Sequence, residues 1–65
     1  MKILVNGQMT EVTADGLDAI LTELDYGQQT VATAVNETFI AKTARANTRL
    51  TSGDRLEIMA PRQGG

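Results

Sequence analysis

The residues in this chain with the types and placement to do chemistry are the last ones, Gly64-Gly65 behind Pro61-Arg62-Gln63. A terminal glycine carries its carboxylate with no side chain beside it. An active site that activates a protein's C-terminus has to admit the tail through a narrow channel. Residues without Cβ pass with least hindrance and reach φ values that others avoid. The carboxylate is ionised at neutral pH, its reference pKa being about 3.3–3.7. It is therefore inert until activated, for example as an acyl-adenylate open to a sulfur or nitrogen nucleophile. On this reading Gly65 bears the reacting carbon, and Gly64 and Gln63 form the threaded segment before it. The plain alternative is that two glycines end a frayed tail. Glycine makes up about 7% of residues in proteins, so a pair at a fixed place arises by chance in roughly one chain in two hundred. The rest of the chain has to decide.

Composition removes most other chemistry. There is no cysteine and no histidine, so disulfides, thiolate sites, the usual general base and the commonest metal ligand are all absent. Serine and threonine hydroxyls are plentiful, but nothing marks one as an activated nucleophile. Acidic residues are scattered rather than arranged as a calcium loop. The net charge is −2, from six Lys/Arg against eight Asp/Glu, and Tyr26 and Phe39 are the only aromatics. A nucleic-acid binder would show a basic face with stacking rings. No apolar run reaches membrane-spanning length, and the opening Met1-Lys2-Ile3-Leu4-Val5 is too short for a signal peptide. The expected compartment is a reducing cytoplasm. Sixty-five residues make one domain, which buries only about 60% of its unfolded surface, and a deep substrate pocket would consume most of that core.

The elements that position the tail can be read in order. Ile3 to Val5 run into Asn6-Gly7, the strongest two-residue turn signal, and Met9 to Val12 return. With Asn6 and Gly7 central, Val5 faces Gln8, Leu4 faces Met9, Ile3 faces Thr10 and Lys2 faces Glu11. Alternation puts Met1, Ile3, Val5, Thr10 and Val12 on the core face and Lys2, Leu4, Met9 and Glu11 on the other. Asp15 is the expected N-cap of a helix whose Leu17, Ile20, Leu21 and Leu24 form one apolar stripe, with Gly27 as its stop. Thr30 to Val35 reads as a third strand ending at Asn36-Glu37, and Phe39-Ile40 as a short fourth. Lys42 to Thr48 has no period and reads as a loop with one irregular turn, and Lys42, Arg45 and Arg49 read as a solvated basic stretch, a partner contact being the alternative. Leu50 plugs the core, and Thr51-Ser52-Gly53-Asp54 is turn chemistry. Arg55 to Ala60 is the last strand, with Leu56, Ile58 and Ala60 inward and Arg55, Glu57 and Met59 outward. Pro61 ends the pairing because it cannot donate to a ladder.

This order predicts an α+β fold of the ubiquitin-like β-grasp type, a mixed sheet of four to five strands packed on one helix. Its first and last strands lie side by side and parallel, with a domain over 1–60 and a free tail over 61–65. Leu4, Met9 and Met59 then share the sheet face away from the helix, rimmed by Lys2, Glu11, Arg55 and Glu57. Such an apolar patch with a polar rim fits a docking site; a small protein short of polar surface is the plainer account. Arg62 is a further docking candidate or a solvated tail charge.

Three segments carry a family resemblance. Ile3-Leu4-Val5-Asn6-Gly7, Val31-Ala32-Thr33-Ala34-Val35-Asn36 and Ser52-Gly53-Asp54-Arg55-Leu56-Glu57-Ile58, with the closing Gln63-Gly64-Gly65, resemble the ThiS family, the sulfur carriers of thiamine biosynthesis. The resemblance spans the whole chain, and Asn36-Glu37 stands where the family often has Asn-Gly, which implies a looser turn there. It implies a protein carrier rather than an enzyme, with no bound cofactor. A partner adenylyltransferase would use ATP to adenylate Gly65. Sulfur, usually from a cysteine desulfurase persulfide, would displace AMP to leave a thiocarboxylate, and thiazole synthase would take that sulfur. The alternatives from the same tail chemistry are a relative of the molybdopterin synthase small subunit and a ubiquitin-like protein modifier. A binding module that never activates its tail is the third class.

Overall fold

Asn6 and Gly7 reverse the chain with φ of 50° and 85°, the left-handed pair that a two-residue hairpin between twisted strands requires. They join strand β1 (Lys2–Val5) to strand β2 (Gln8–Glu11). The pairing Lys2↔Glu11, Ile3↔Thr10, Leu4↔Met9 and Val5↔Gln8 is the register the sequence predicts. The computed structural model describes residues 1–60. The expected tail over 61–65, with Arg62, Gln63, Gly64 and Gly65, lies outside the described residues.

Helix α1 spans Leu17–Glu23 and buries Leu17, Ile20 and Leu21. Both of its expected caps differ. Asp15 does not cap the N-terminus; Gly16 holds that position without a side-chain bond. The Leu17 N–H donates instead to the Thr48 carbonyl at 2.8 Å, and the Leu50 N–H donates to the Asp15 carbonyl at 2.8 Å. A distant segment thus satisfies a donor that a local side chain was expected to take. Asp15 is left to accept from Arg49 Nη1 at 3.0 and 3.2 Å. Nor is Gly27 the stop. Asp25 turns left-handed at φ 70°, its N–H donates to Thr22 O at 3.1 Å, and the Tyr26 N–H donates to Leu21 O at 2.7 Å. That bond pair is a Schellman motif with Asp25 where glycine is usual, and Tyr26 packs on the core just after it.

A second tight hairpin joins strand β3 (Ala32–Val35) to strand β4 (Thr38–Ile40). Both central residues are left-handed, Asn36 at φ 50° and Glu37 at φ 71°, so this turn is as tight as the Asn6-Gly7 one. The stretch expected as a loop is a 3₁₀ helix over Lys42–Asn47. Arg45, expected in solvent, is only 9% exposed. Its Nη2 donates to Val31 O at 2.6 Å and its Nε to Thr33 Oγ1 at 3.1 Å. The hydroxyl of Thr33 in turn donates to Ile40 O at 2.9 Å. One guanidinium therefore staples the 3₁₀ helix to the second hairpin.

Strand β5 (Arg55–Met59) follows a turn in which Gly53 adopts φ 89°. It stops one residue short of the expected end, and Ala60 is exposed rather than inward. The sheet runs β2-β1-β5-β3-β4. β1 and β5 are parallel, with Leu4↔Arg55 and Val5↔Leu56; β5 and β3 are antiparallel, with Ala32↔Met59, Thr33↔Ile58, Ala34↔Glu57 and Val35↔Leu56. Ile3, Val12, Leu56, Ile58 and Leu50 meet Leu17, Ile20 and Leu21 in one core, each large side chain contributing about 1.5–3 kcal/mol of burial. This is the α+β β-grasp arrangement. No helix among the described residues is long and apolar enough to cross a membrane.

Candidate functional site

β5 carries the chain toward its C-terminus, so the groups at its far end fix where the chain leaves the sheet. Two turn asparagines hold the strand. Asn36 grips its start: the Asn36 N–H donates to Arg55 O at 2.8 Å, its Oδ1 accepts from the Arg55 N–H at 3.0 Å, and its Nδ2 donates to Asp54 Oδ1 at 3.1 Å. Asn6 grips the far end: its Oδ1 accepts from the Ile58 N–H at 2.8 Å and its Nδ2 donates to Ile58 O at 3.3 Å. Both residues tolerate the left-handed turn position, and both carry an amide that offers a donor and an acceptor together.

Asp54 and Glu23 are the two carboxylates whose affinity for protons the fold clearly lowers. For Asp54 the main cause is the Thr51 N–H, which donates to Oδ2 at 2.9 Å, followed by the Asn36 amide. For Glu23 it is the N–H groups of Ala14 and Thr13, which donate to the carboxylate at 2.9–3.1 Å. Glu23 thereby ties the last turn of α1 to the segment that leads into the helix. The Thr51 hydroxyl also donates to Asp54 Oδ2, at 3.4 Å. Among the described residues no three His, Cys, Asp or Glu side chains gather to hold a metal ion.

The sheet face away from α1 is the other feature with functional form. Leu4 is half-buried, while Met9 and Met59 are exposed at 61% and 58%. The register splits the expected patch. Leu4 lies between Met9 on β2 and Arg55 on β5. Met59 stands four residues further along β5, about 13 Å away along the strand, beside Ala32. From Ala32 the outer face continues along β3 to Ala34, which stands level with Glu57 and pairs with Phe39. Phe39 is 68% exposed and is the most exposed large apolar side chain among those described. Arg55 and Glu57 separate the two apolar areas, and Arg55 pairs with Glu37 at 3.5 Å. Thr30, Val31, Ala32, Met59 and Ala60 line a shallow apolar hollow where β5 ends.

Leu4, Met9 and Met59 are thus on one face but form two areas. Phe39, which sequence reasoning left without a face, joins the second. The signal was present: with Asn36-Glu37 central to a two-residue turn, Phe39 pairs with Ala34 and points opposite to Ile40. Arg62, Gln63, Gly64 and Gly65 lie outside the described residues.

The model of the ThiS family matches residues 3–65, which includes every element of the sheet and the closing diglycine. The chain belongs to the ThiS family. A solved structure described as thiamine biosynthesis protein (ThiS) from Geobacter metallireducens superimposes with a TM-score of 0.83, 24% identity and 100% coverage of both chains. That likeness establishes the fold. No curated protein matches the chain. ThiS-family membership supports a sulfur-carrier role in thiamine biosynthesis and interaction with its sulfur-transfer enzymes. It fits a small carrier better than an enzyme.

Proposed function

We propose that this ThiS-family chain carries sulfur on the Gly65 carboxyl carbon. The carboxylate attacks the α-phosphorus of ATP on a partner adenylyltransferase, giving an acyl-adenylate and pyrophosphate. A sulfur nucleophile, delivered by a cysteine desulfurase persulfide or another donor, attacks the acyl carbon, and AMP leaves with the C–O bond electrons. A persulfide donor leaves an acyl disulfide, whose S–S bond a thiol reductant cleaves. The donor cysteine departs as its thiol, and the transferred sulfur stays on the acyl carbon as a thiocarboxylate, which gives that sulfur to thiazole synthase. The carrier contributes the reactive terminus and its docking surface; ATP and catalysis belong to the partners. The observation that carries this reading is the family match running through residue 65. The near-absence of catalytic side chains, with no His and no Cys in the sequence, agrees with it.

The outer sheet face is the proposed docking surface, with Leu4 and Met9 on one side of the Arg55–Glu57 divide and Met59 and Phe39 on the other. Methionine side chains adapt to more than one partner, which suits a carrier that meets two enzymes in turn.

Intact mass after incubation with ATP, a ThiS adenylyltransferase and a sulfide source tests the chemistry. The expected result is a gain matching one oxygen-to-sulfur exchange, lost when Gly65 is deleted. No gain with an enzyme shown to be active on another carrier would overturn the proposal. Covalent conjugates through Gly65 to lysines of other proteins would identify a modifier instead.

A further inference from the structure

The β1–β5 ladder outlasts β1. On its β1 side, β5 presents the main-chain groups of alternate residues, Asp54, Leu56 and Ile58. The Leu4 N–H donates to Asp54 O and the Asn6 N–H to Leu56 O, both at 2.9 Å. At that point β1 turns away through Asn6-Gly7, and no main-chain group of β1 remains for Ile58. The Asn6 side chain supplies the missing rung. Its Oδ1 takes the Ile58 N–H at 2.8 Å and its Nδ2 gives to Ile58 O at 3.3 Å, as a backbone peptide would. Glycine and aspartate also tolerate this left-handed turn position, but neither offers a donor and an acceptor together.

We propose that Asn6 is a positioning residue for tail activation, acting through Ile58 to fix the direction in which the chain leaves the sheet. The inference rests on the reading of Gly65 as the reacting terminus. Gly65 lies seven positions beyond Ile58, a reach of at most about 25 Å when extended. The clamp on Ile58 sets the position and heading of Met59 and Ala60, the last described residues before that terminus. Loss of orientation at the reacting centre lowers the rate of the chemical step while leaving remote binding intact. Asn36 provides an internal comparison. It sits at the same turn position, with φ of 50° in both cases, and uses the same amide on β5, but at Arg55, the end remote from the tail.

The test compares wild type, Asn6→Gly and Asn36→Gly in steady-state adenylation, read as pyrophosphate release with the carrier varied. Glycine keeps the turn conformation and removes only the amide. Asn6→Gly is expected to lower kcat at least fivefold with KM changed less than twofold, while Asn36→Gly leaves kcat within twofold. A merely structural clamp would lower stability in both variants and kcat in neither. Unchanged kcat in folded Asn6→Gly, or an equal fall in Asn36→Gly, overturns the proposal. If Asn6→Gly does not fold, Asn6→Asp, which keeps the shape and loses the donor, is judged by the same limits. Amide exchange separates the two layers of the argument. Faster exchange at Ile58 in Asn6→Gly, by tenfold or more with Leu56 unchanged, is expected from the clamp alone, and its absence overturns the clamp. A wild-type chain that is not adenylated at all overturns the Gly65 reading and the positioning role with it, whatever the exchange shows.

Discussion

Glu37 occupies a left-handed position at φ 71° that costs a side-chain-bearing residue about 1–2 kcal/mol. Its one compensation is an ion pair with Arg55 at 3.5 Å between side chains that are 75% and 53% exposed, a pair of small worth in water. Glu37→Gly is therefore expected to stabilise the protein by about 0.5–1 kcal/mol, measured as a rise in the urea midpoint at unchanged slope. Loss of stability would show that the Arg55 pair outweighs the strain. The same scale sets the acid sensitivity. Main-chain donors hold the carboxyls of Glu23 and Asp54 below their ordinary values, so the unfolded chain binds protons at these sites more tightly than the folded one. Their contribution is present above the ordinary carboxylate range and is lost as pH falls through and below about 4. Urea midpoints at pH 7, 5 and 3 should stay level and then drop. Glu23→Gln with Asp54→Asn should lower the pH 7 value and flatten the drop; an unchanged drop would assign it to other carboxylates. The Asn6-Gly7 turn was legible residue by residue, whereas the tightness of the Asn36-Glu37 turn was not. Nor were the bonds to Glu23 and Arg45, because each joins residues distant in sequence, and no local pattern announces a partner 9 to 14 positions away.

The elements differ in how much they owe to local sequence. The stripe of α1, the Asn6-Gly7 hairpin and its register follow from periodicity and turn chemistry. The 3₁₀ helix over Lys42–Asn47 does not, since its sequence has no apolar face. It is held by one long-range side chain. Arg45 reaches over to Val31 O and Thr33 Oγ1, and Arg45→Ala would leave the Val31 carbonyl and the Thr33 hydroxyl short of a partner. The expected cost is about 2 kcal/mol or more. Arg45→Lys should recover only part of it, because one ammonium lacks the spaced donors of the guanidinium fork. Equal stability of wild type and Arg45→Ala in urea would show that solvent replaces the staple. The same long-range logic moved the N-terminal cap of α1. The Gly16↔Arg49 bridge brings main-chain acceptors to the helix start, so Asp15 has no capping role to fill.

At the scale of the whole molecule, the order β2-β1-β5-β3-β4 puts the strand leading to the tail in the middle of the sheet, supported on both sides. The outer face then presents its two apolar areas on either side of Arg55 and Glu57. Leu4→Asp, Met59→Asp and Phe39→Asp replace side chains outside the core, so each is expected to fold normally. Each should raise KM for adenylation severalfold, with Phe39→Asp and Met59→Asp acting alike because they share one area. Normal kinetics in all three would remove the outer face as a docking surface. By itself the sequence determined the terminal diglycine, the missing histidine and cysteine, the helix stripe and the register of the first hairpin. These depend on residue identity and on spacings of two to four residues, which act before the chain is folded. The tertiary structure decided the division of the outer face, the exposure of Phe39, the burial of Arg45 and the grip of Asn6 on Ile58. Each depends on which strands become neighbours, and the parallel β1–β5 pairing joins residues about fifty positions apart that only the closed core brings together.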